Sequence, residues 1–333
     1  MNNSIFPWLI KDIEENWMSK TKKNIAPKRS LGWKNIKKYI PLYIMFLPAA
    51  IYFIINNYIP MAGIIVAFKK YTVRKGIFGS PFNGLKNFEY LFKTPDAWVI
   101  TRNTLLYNVA FILINLVLGV VFAIFISDTI HKRLKKTYQS AILFPYLMSY
   151  VILGYIVYAF FSQSTGIVNN SILTALGMDK INWYQEAKYW PAILLFTNTW
   201  KNVGYGCLIY LSTINGIDPA YYEAAALDGA TKWEQIKYIT LPTLVPTITT
   251  LTLMQVGRIF YSDFGLFYQV PRNSGMLFST TNVIDTYVYR GLMESSNIGL
   301  SAAAGFYQSI LGFIIVIVAN QIVRKFSEEN ALF

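Results

Sequence analysis

Long uncharged stretches recur along this chain, separated by shorter polar segments that are mostly basic. Tyr39 to Phe68 runs 30 residues without a charge, Asn103 to Ser127 runs 25, Thr137 to Met178 runs 42, Tyr238 to Gly257 runs 20 and Ser295 to Val323 runs 29. About 20 apolar residues in a helix cross the hydrocarbon layer of a bilayer, so each interval predicts one crossing. The 42-residue interval holds a crossing followed by a polar loop that begins near Ser162. A sixth apolar interval, Tyr189 to Leu211, is interrupted by Lys201 but keeps apolar text on both sides, which reads as a crossing with one ionisable residue turned inward. The pattern predicts an all-α integral membrane protein with six transmembrane helices, near 40–60, 102–127, 138–161, 190–211, 241–262 and 297–323.

The same pattern divides the chain into a basic segment over 1–38, a membrane domain over 39–323 and a short tail over 324–333. Within the membrane domain, 69–99 predicts a structured segment at the outer interface, because it is long for a connector and rich in Gly, Pro and aromatic residues. Six crossings put both termini on one side together with the loops near 128–137 and 212–240. That side carries seventeen Lys and Arg residues against eleven on the other, which predicts cytoplasmic termini. Residues Trp183, Tyr184, Tyr189 and Trp190 predict an aromatic belt at the outer interface, with contact to a docking protein as the other reading.

Composition narrows the class. Hydrophobic residues make up 54 % and charged residues 14 % of the 333, a balance that a soluble surface cannot accommodate. The formal charge of +13 would suggest nucleic acid in a soluble protein, but here basic residues sit between apolar runs, where the positive-inside bias and anionic lipids account for them. A single cysteine, Cys207, cannot form an intrachain disulfide, and with the lone His131 no His/Cys metal cluster can be built. No cleavable signal peptide is expected, since 38 polar, Lys-rich residues precede the first apolar run.

Residues 217–242 carry the most specific text, IDPAYYEAAALDGATKWEQIKYITLP. Asp218 before Pro219 is an N-cap with proline at the first helical position, followed by helix formers to Leu227. Gly229 offers a left-handed stop, and Thr231 with Glu234 has the spacing of a capping box that opens a second short helix. Neither helix is long enough to be stable alone, so both must dock on something.

This loop resembles the signature of the membrane subunits of binding-protein-dependent, ATP-driven importers: Glu-Ala-Ala, three residues, Gly, nine residues, Ile, one residue, Leu-Pro. It stands here as Glu223, Ala224, Ala225, Gly229, Ile239, Leu241 and Pro242 with every spacing intact. The segments 57–63, 76–88, 200–204, 283–290 and 319–320 further resemble the sugar and polysaccharide-fragment permeases of that family. The resemblance implies the six-helix type I importer permease fold in a bacterial cytoplasmic membrane. It implies that the loop couples to a cleft in a separate ATPase subunit, that ATP and magnesium belong to two such subunits while this chain binds no cofactor, and that a homologous second permease and an extracytoplasmic sugar-binding protein complete the assembly. The transported ligand would be an oligosaccharide, of an identity that the sequence leaves open, and no nucleic acid is implied.

Polar residues inside the predicted crossings supply candidates for a substrate path. A lysine near the middle of an isolated crossing costs at least about 3 kcal/mol, so Lys201 should face a polar cavity, an acidic partner or another subunit. Asn198 and Asn202 extend its patch, and Arg258, Tyr261 and Asp263 form a second one. Tyr150, Trp200 and Tyr261 could provide flat faces for a sugar. Interhelical hydrogen bonding is the structural reading of the same residues. No catalytic residue is assigned, because no nucleophile and base set, metal set or Walker motif is present. A membrane scaffold that recruits a cytoplasmic partner without transport is the alternative function.

Overall fold

The structure, a computed structural model, describes residues 33–326, with side chains described over 39–325. Most of the basic segment 1–38 and of the tail 324–333 therefore lies outside the described residues. The chain divides into two compact units, 1–62 and 63–333. In the first, helix α1 (Trp33–Phe53) continues through a π-helical stretch, Ile54–Tyr58, into a last turn at Ile59–Met61. From Tyr39 onward its large apolar side chains are exposed, as suits a helix solvated by lipid chains.

The second unit is built on two long helices packed side by side, α3 (Pro95–Ser127) and α6 (Trp190–Asn215). Around them lie α2 (Lys86–Lys93), α4 (Lys132–Leu143), α5 (Tyr150–Phe161), α9 (Leu241–Val256), α10 (Phe264–Gln269), α11 (Ile284–Met293) and α12 (Ile298–Phe326). Between α6 and α9 come two short helices, α7 (Pro219–Leu227) and α8 (Lys232–Gln235). Three apolar clusters run along α3, two of them shared with α6. One joins Tyr107 and Phe111 to Leu153, Trp190, Leu194 and Phe267; another joins Ile100 and Ile112 to Phe260, Ile284 and Ala304; the third joins Val120 and Ala123 to Cys207, Leu211 and Leu244.

Segment 69–99 packs against α12. Lys69 Nζ donates to the carbonyls of Ile77 (2.9 Å) and Phe78 (3.0 Å), Asn87 Nδ2 donates to those of Ala67 and Lys69, and the rings of Phe68, Phe88 and Phe306 meet edge to face or tilted. Of the aromatic residues before α6, Trp190 is core, while Trp183, Tyr184 and Tyr189 are half-buried against it. Trp190 is fully buried with its Nε1–H on the Trp183 carbonyl at 2.7 Å, and Trp183 donates to Asn169 Oδ1 at 2.9 Å, so the indoles seal a packed corner.

The all-α class stands, but the expectation of six crossings is corrected. Four helical segments among the described residues are long and apolar enough to cross a membrane: Tyr39–Phe68, Pro95–Ser127, Lys232–Val256 and Ile298–Lys325. A fifth arises only if Lys132–Leu147 and Tyr150–Phe161 count as one broken span, for they are bent by 97°. Two physical reasons account for the difference. The expected crossing over 138–161 breaks where Met148 and Ser149 turn extended after the 3-10 turn Phe144–Leu147, and Ser149 then caps α5. Helix α6 is long enough but too polar through Thr197, Asn198, Thr199, Lys201 and Asn202, of which Thr197, Asn198 and Lys201 are buried inside the protein. With the even count goes the basis for placing both termini on one side.

Close approach between α4 and α6 depends on Gly204, where an added Cβ would stand 2.0 Å from the Ile142 carbonyl oxygen. Gly204→Val should therefore cost about 1–3 kcal/mol or more through overpacking, seen as a lower thermal transition and less folded protein after detergent extraction. Gly206→Ala, whose nearest neighbour is a Tyr210 ring carbon at 3.9 Å, serves as the tolerated control. Equal behaviour of the two variants would show that the α4–α6 contact is not tight.

Candidate functional site

The α7–α8 hairpin is specified locally. Asp218 Oδ1 accepts from the Ala220 N–H at 3.0 Å, which caps α7, and Pro219 occupies the first helical position. At the far end the Ala230 N–H reaches back to the Ala225 carbonyl (2.9 Å) and the Gly229 N–H to that of Ala226 (3.1 Å). That closure requires a left-handed residue, and Gly229 takes φ 86°. Thr231 and Glu234 then form a reciprocal capping box: the Thr231 N–H donates to Glu234 Oε2 at 2.7 Å, and the Glu234 N–H donates to Thr231 Oγ1 at 3.3 Å. The π-helical stretch Ile236–Thr240 leads through Leu241 and Pro242 into α9.

Two contacts fix this hairpin, and a third braces its root. Tyr222 Oη and Thr240 Oγ1 lie 2.9 Å apart, Lys232 pairs with Asp128 at 2.9 Å, and Lys135 donates to Asn215 Oδ1 at 3.1 Å beside the hairpin's root. No residue of α7 is buried, and Glu223 and Ala224 are exposed. Large apolar side chains stand out around them: Tyr221 is 66 % exposed, Leu227 90 % and Trp233 70 %. Those are side chains that a helix normally covers.

A second set of predicted residues meets where α5, α6 and α10 converge. Lys201 is only 6 % exposed, and its ammonium donates to the carbonyls of Tyr146, at 2.9 Å, and Met148. It also sits over the Tyr150 ring, 4.7 Å from the centroid. The Tyr150 side chain lies near Asp263 and Asn202. Asp263 caps α10 by accepting from the Leu266 N–H at 3.3 Å, and Gly265 leaves room for the Tyr150 ring, which an added Cβ would meet at 2.4 Å. Thus Tyr150, Lys201, Asn202 and Asp263 form one neighbourhood of phenol, ammonium, amide and carboxylate, with the ammonium held by two carbonyls and the carboxylate by a helix N-terminus.

The other candidates stand apart. Asn198 accepts from Asn115 Nδ2 at 3.1 Å, a bond between α3 and α6. Trp200, 37 % exposed, lies with Phe122, Phe125 and Phe196 on an apolar groove turned away from the Lys201 ammonium. Tyr261 lies 3.5 Å from Ser309 Oγ, and Arg258 is exposed just beyond the end of α9.

Two polar nodes escaped the sequence reading. Asp285 accepts from the Ser262 N–H at 2.7 Å and from Gln308 Nε2 at 3.1 Å, while Gln308 also donates to the Phe260 carbonyl, so one carboxylate pins the irregular chain after α9 to α11 and α12. Buried Arg290 donates to Asn282, Thr286 and Asn273 and stacks 4.0 Å over the Phe278 ring. The spacing of Asn282, Thr286 and Arg290, four residues apart each, was the available signal: on a helix it makes one polar stripe.

This geometry has counterparts in known proteins. Residues 116–328 match the family described as the binding-protein-dependent transport system inner membrane component. The chain is 31 % identical over 294 residues to the polygalacturonan/rhamnogalacturonan transport system permease protein YteP of Bacillus subtilis, covering 87 % of this chain and 89 % of that protein. It is 26 % identical to the arabinooligosaccharides transport system permease protein AraP of the same organism, covering 92 % and 96 %. It also aligns with a chain in the crystal structure of a bacterial ABC transporter involved in the import of the acidic polysaccharide alginate, at a TM-score of 0.81 and 32 % identity, covering 89 % of this chain and 99 % of that one. Fold and site thus define a multi-pass bacterial inner-membrane permease subunit, a non-catalytic part of a translocation path. The chain belongs to the family of inner-membrane components of binding-protein-dependent transport systems.

The Lys201 ammonium satisfies two carbonyls at the break between α4 and α5, and leaving them unmet costs about 1–3 kcal/mol. Lys201→Met should lower the thermal transition of the purified complex and impair substrate-stimulated uptake, with Lys201→Arg closer to the parent in both. Parental transition and uptake in Lys201→Met would mean that the ammonium neither holds the break nor serves the path.

Proposed function

We propose that this chain forms one half of the translocation path of an ATP-driven importer of oligosaccharides or polysaccharide fragments, and that the α7–α8 hairpin couples it to a cytoplasmic ATPase subunit. The observation that carries the coupling role is a capped, rigid hairpin whose first helix buries nothing of its own while Tyr221, Leu227 and Trp233 stand exposed around it. A segment this short gains its stability by docking, and the side chains left uncovered are of the kind that fill a protein cleft. Ala224, Ala225 and Ala226 keep one helix surface narrow, and exposed Glu223 offers a charge to a basic partner.

The saccharide assignment draws on what the relatives are named for, polygalacturonan or rhamnogalacturonan, arabinooligosaccharides and alginate. The Tyr150, Asn202 and Asp263 cluster supports it, since sugar hydroxyls need both donors and acceptors beside a flat ring. The assembly in this reading contains a homologous second permease, two ATPase subunits and an extracytoplasmic sugar-binding protein. One coupling hairpin per membrane chain then serves one ATPase.

Gly229→Val puts a branched side chain at φ 86° and should strain the hairpin, lowering ATPase recovery with the complex and binding-protein-stimulated hydrolysis several-fold. Glu223→Ala should lower stimulation while preserving the helix, because alanine is the stronger helix former. Both are measured in reconstituted membranes per assembled complex. Parental stimulation and normal ATPase association in both variants would leave the hairpin without a coupling role.

A further inference from the structure

The end of α6 remote from the hairpin holds a cationic, aromatic pocket. At 1.5 Å of rise per residue, Trp190 lies on the order of 37 Å from Asn215. Near Trp190 the chain after α10 makes a turn in which two consecutive side-chain-bearing residues take left-handed backbone conformations, Arg272 with φ 53° and Asn273 with φ 49°. The turn is closed by the Asn273 N–H on the Tyr268 carbonyl (3.1 Å) and the Ser274 N–H on that of Pro271 (3.2 Å). The Asn273 side chain is clamped as well: Arg290 Nη1 donates to its Oδ1 at 3.0 Å, and its Nδ2 donates to Glu294 Oε1 at 2.9 Å. An unfavourable backbone is thus held in place from both sides.

What this turn positions is the Arg272 guanidinium. It lies 4.2 Å from the centroid of the Tyr158 ring and 5.9 Å from that of Tyr155, and it borders a cavity of about 260 Å³ with Tyr155, Tyr268, Gln269 and Asn273. The ion pairs among the described residues do not include Arg272. The contrast with Arg290 is instructive, since that guanidinium is buried and occupied by Asn273, Asn282 and Thr286. The nearby Glu294 carboxylate is engaged by Asn273.

A guanidinium stacked on a ring face keeps its in-plane N–H groups free, and their fork matches a carboxylate in two parallel hydrogen bonds. Tyrosine rings and the Gln269 amide beside it offer a flat face and a polar group for a pyranose. The cavity is smaller than the roughly 300–1,000 Å³ of sites that enclose a whole ligand, a size suited to one unit of a longer chain. We infer that the Arg272 pocket is a binding subsite for a hexuronate unit, with Arg272 as the carboxylate anchor. This rests on the saccharide-importer reading and names the class of saccharide, an acidic one.

The test is direct binding to the complete transporter, both permease chains and ATPase subunits, in phosphatidylcholine nanodiscs. Fluorescently labelled tri-galacturonate is compared with its fully methyl-esterified form, which keeps the sugars and removes the charge. The parent should bind the acid about tenfold tighter than the ester, the scale of one charge-assisted bidentate contact. Arg272→Gln should lose that preference while binding the ester as before, and Arg272→Lys should keep part of it. Assembly of each variant is verified by size-exclusion chromatography.

Equal affinity of the parent for acid and ester, binding of neither, or an undiminished preference in Arg272→Gln would each overturn the subsite. A lipid phosphate could also satisfy the guanidinium, so the measurement is repeated with phosphatidylglycerol discs. Arg272-dependent enrichment of that lipid without binding of tri-galacturonate would assign the cation to the bilayer and sink the proposal. Because the measurement needs no transport, it decides the subsite separately from uptake and ATPase assays, on which the importer reading stands or falls.

Discussion

A lysine ammonium taken out of water must find acceptors close by, and in this protein the way Lys201 finds them shapes what surrounds it. Its Nζ donates to Tyr146 and Met148, the carbonyls at the point where the chain turns between α4 and α5. The break that ends one helix exposes the acceptors that the lysine on the neighbouring helix lacks. The 97° bend and the buried charge therefore satisfy each other. Tyr150, at the first turn of α5, is carried under the ammonium and lies near Asn202 and Asp263, the N-cap of α10.

The polar character of α6 follows the same logic at larger scale. A helix with Thr197, Asn198, Lys201 and Asn202 along it is poorly solvated by lipid, and it is covered instead by α3, α4 and α9. Small residues make that cover possible, Gly204 against the Ile142 carbonyl above all. One end of this helix leads into the α7–α8 hairpin and the other approaches the Arg272 turn. In the proposed function a single rigid element thus joins the part that faces the ATPase to the part that meets the solute.

The hairpin was legible in detail. Its N-cap, left-handed glycine and capping box depend on residues within five positions of one another, and the structure contains each of them at Asp218, Gly229 and Thr231 with Glu234. The polar path was legible only in part. Tyr150 and Asp263 lie 113 residues apart, and their meeting at Asn202 depends on a bend that hydropathy averages away. Trp200, next to Lys201, faces an apolar groove because adjacent residues on a helix point about 100° apart. Asp285 and Arg290 were passed over because one carboxylate and one guanidinium in a short segment look like surface charges until their partners, Gln308 and Asn282, are placed.

By itself the sequence determined the all-α membrane class, the long apolar segments, the hairpin and the resemblance that led to the family. These are properties of composition, period and local hydrogen bonding, each written within a few turns of chain. Only the tertiary structure decided how many apolar helices are long enough to cross the bilayer, that the 138–161 interval is bent, that Trp190 belongs to the core, and which polar residues lie together. Hydropathy measures what a segment would prefer alone in lipid. Whether a helix meets lipid or other helices is settled by the partners that satisfy its polar groups, and for Lys201 those partners lie more than 50 residues away.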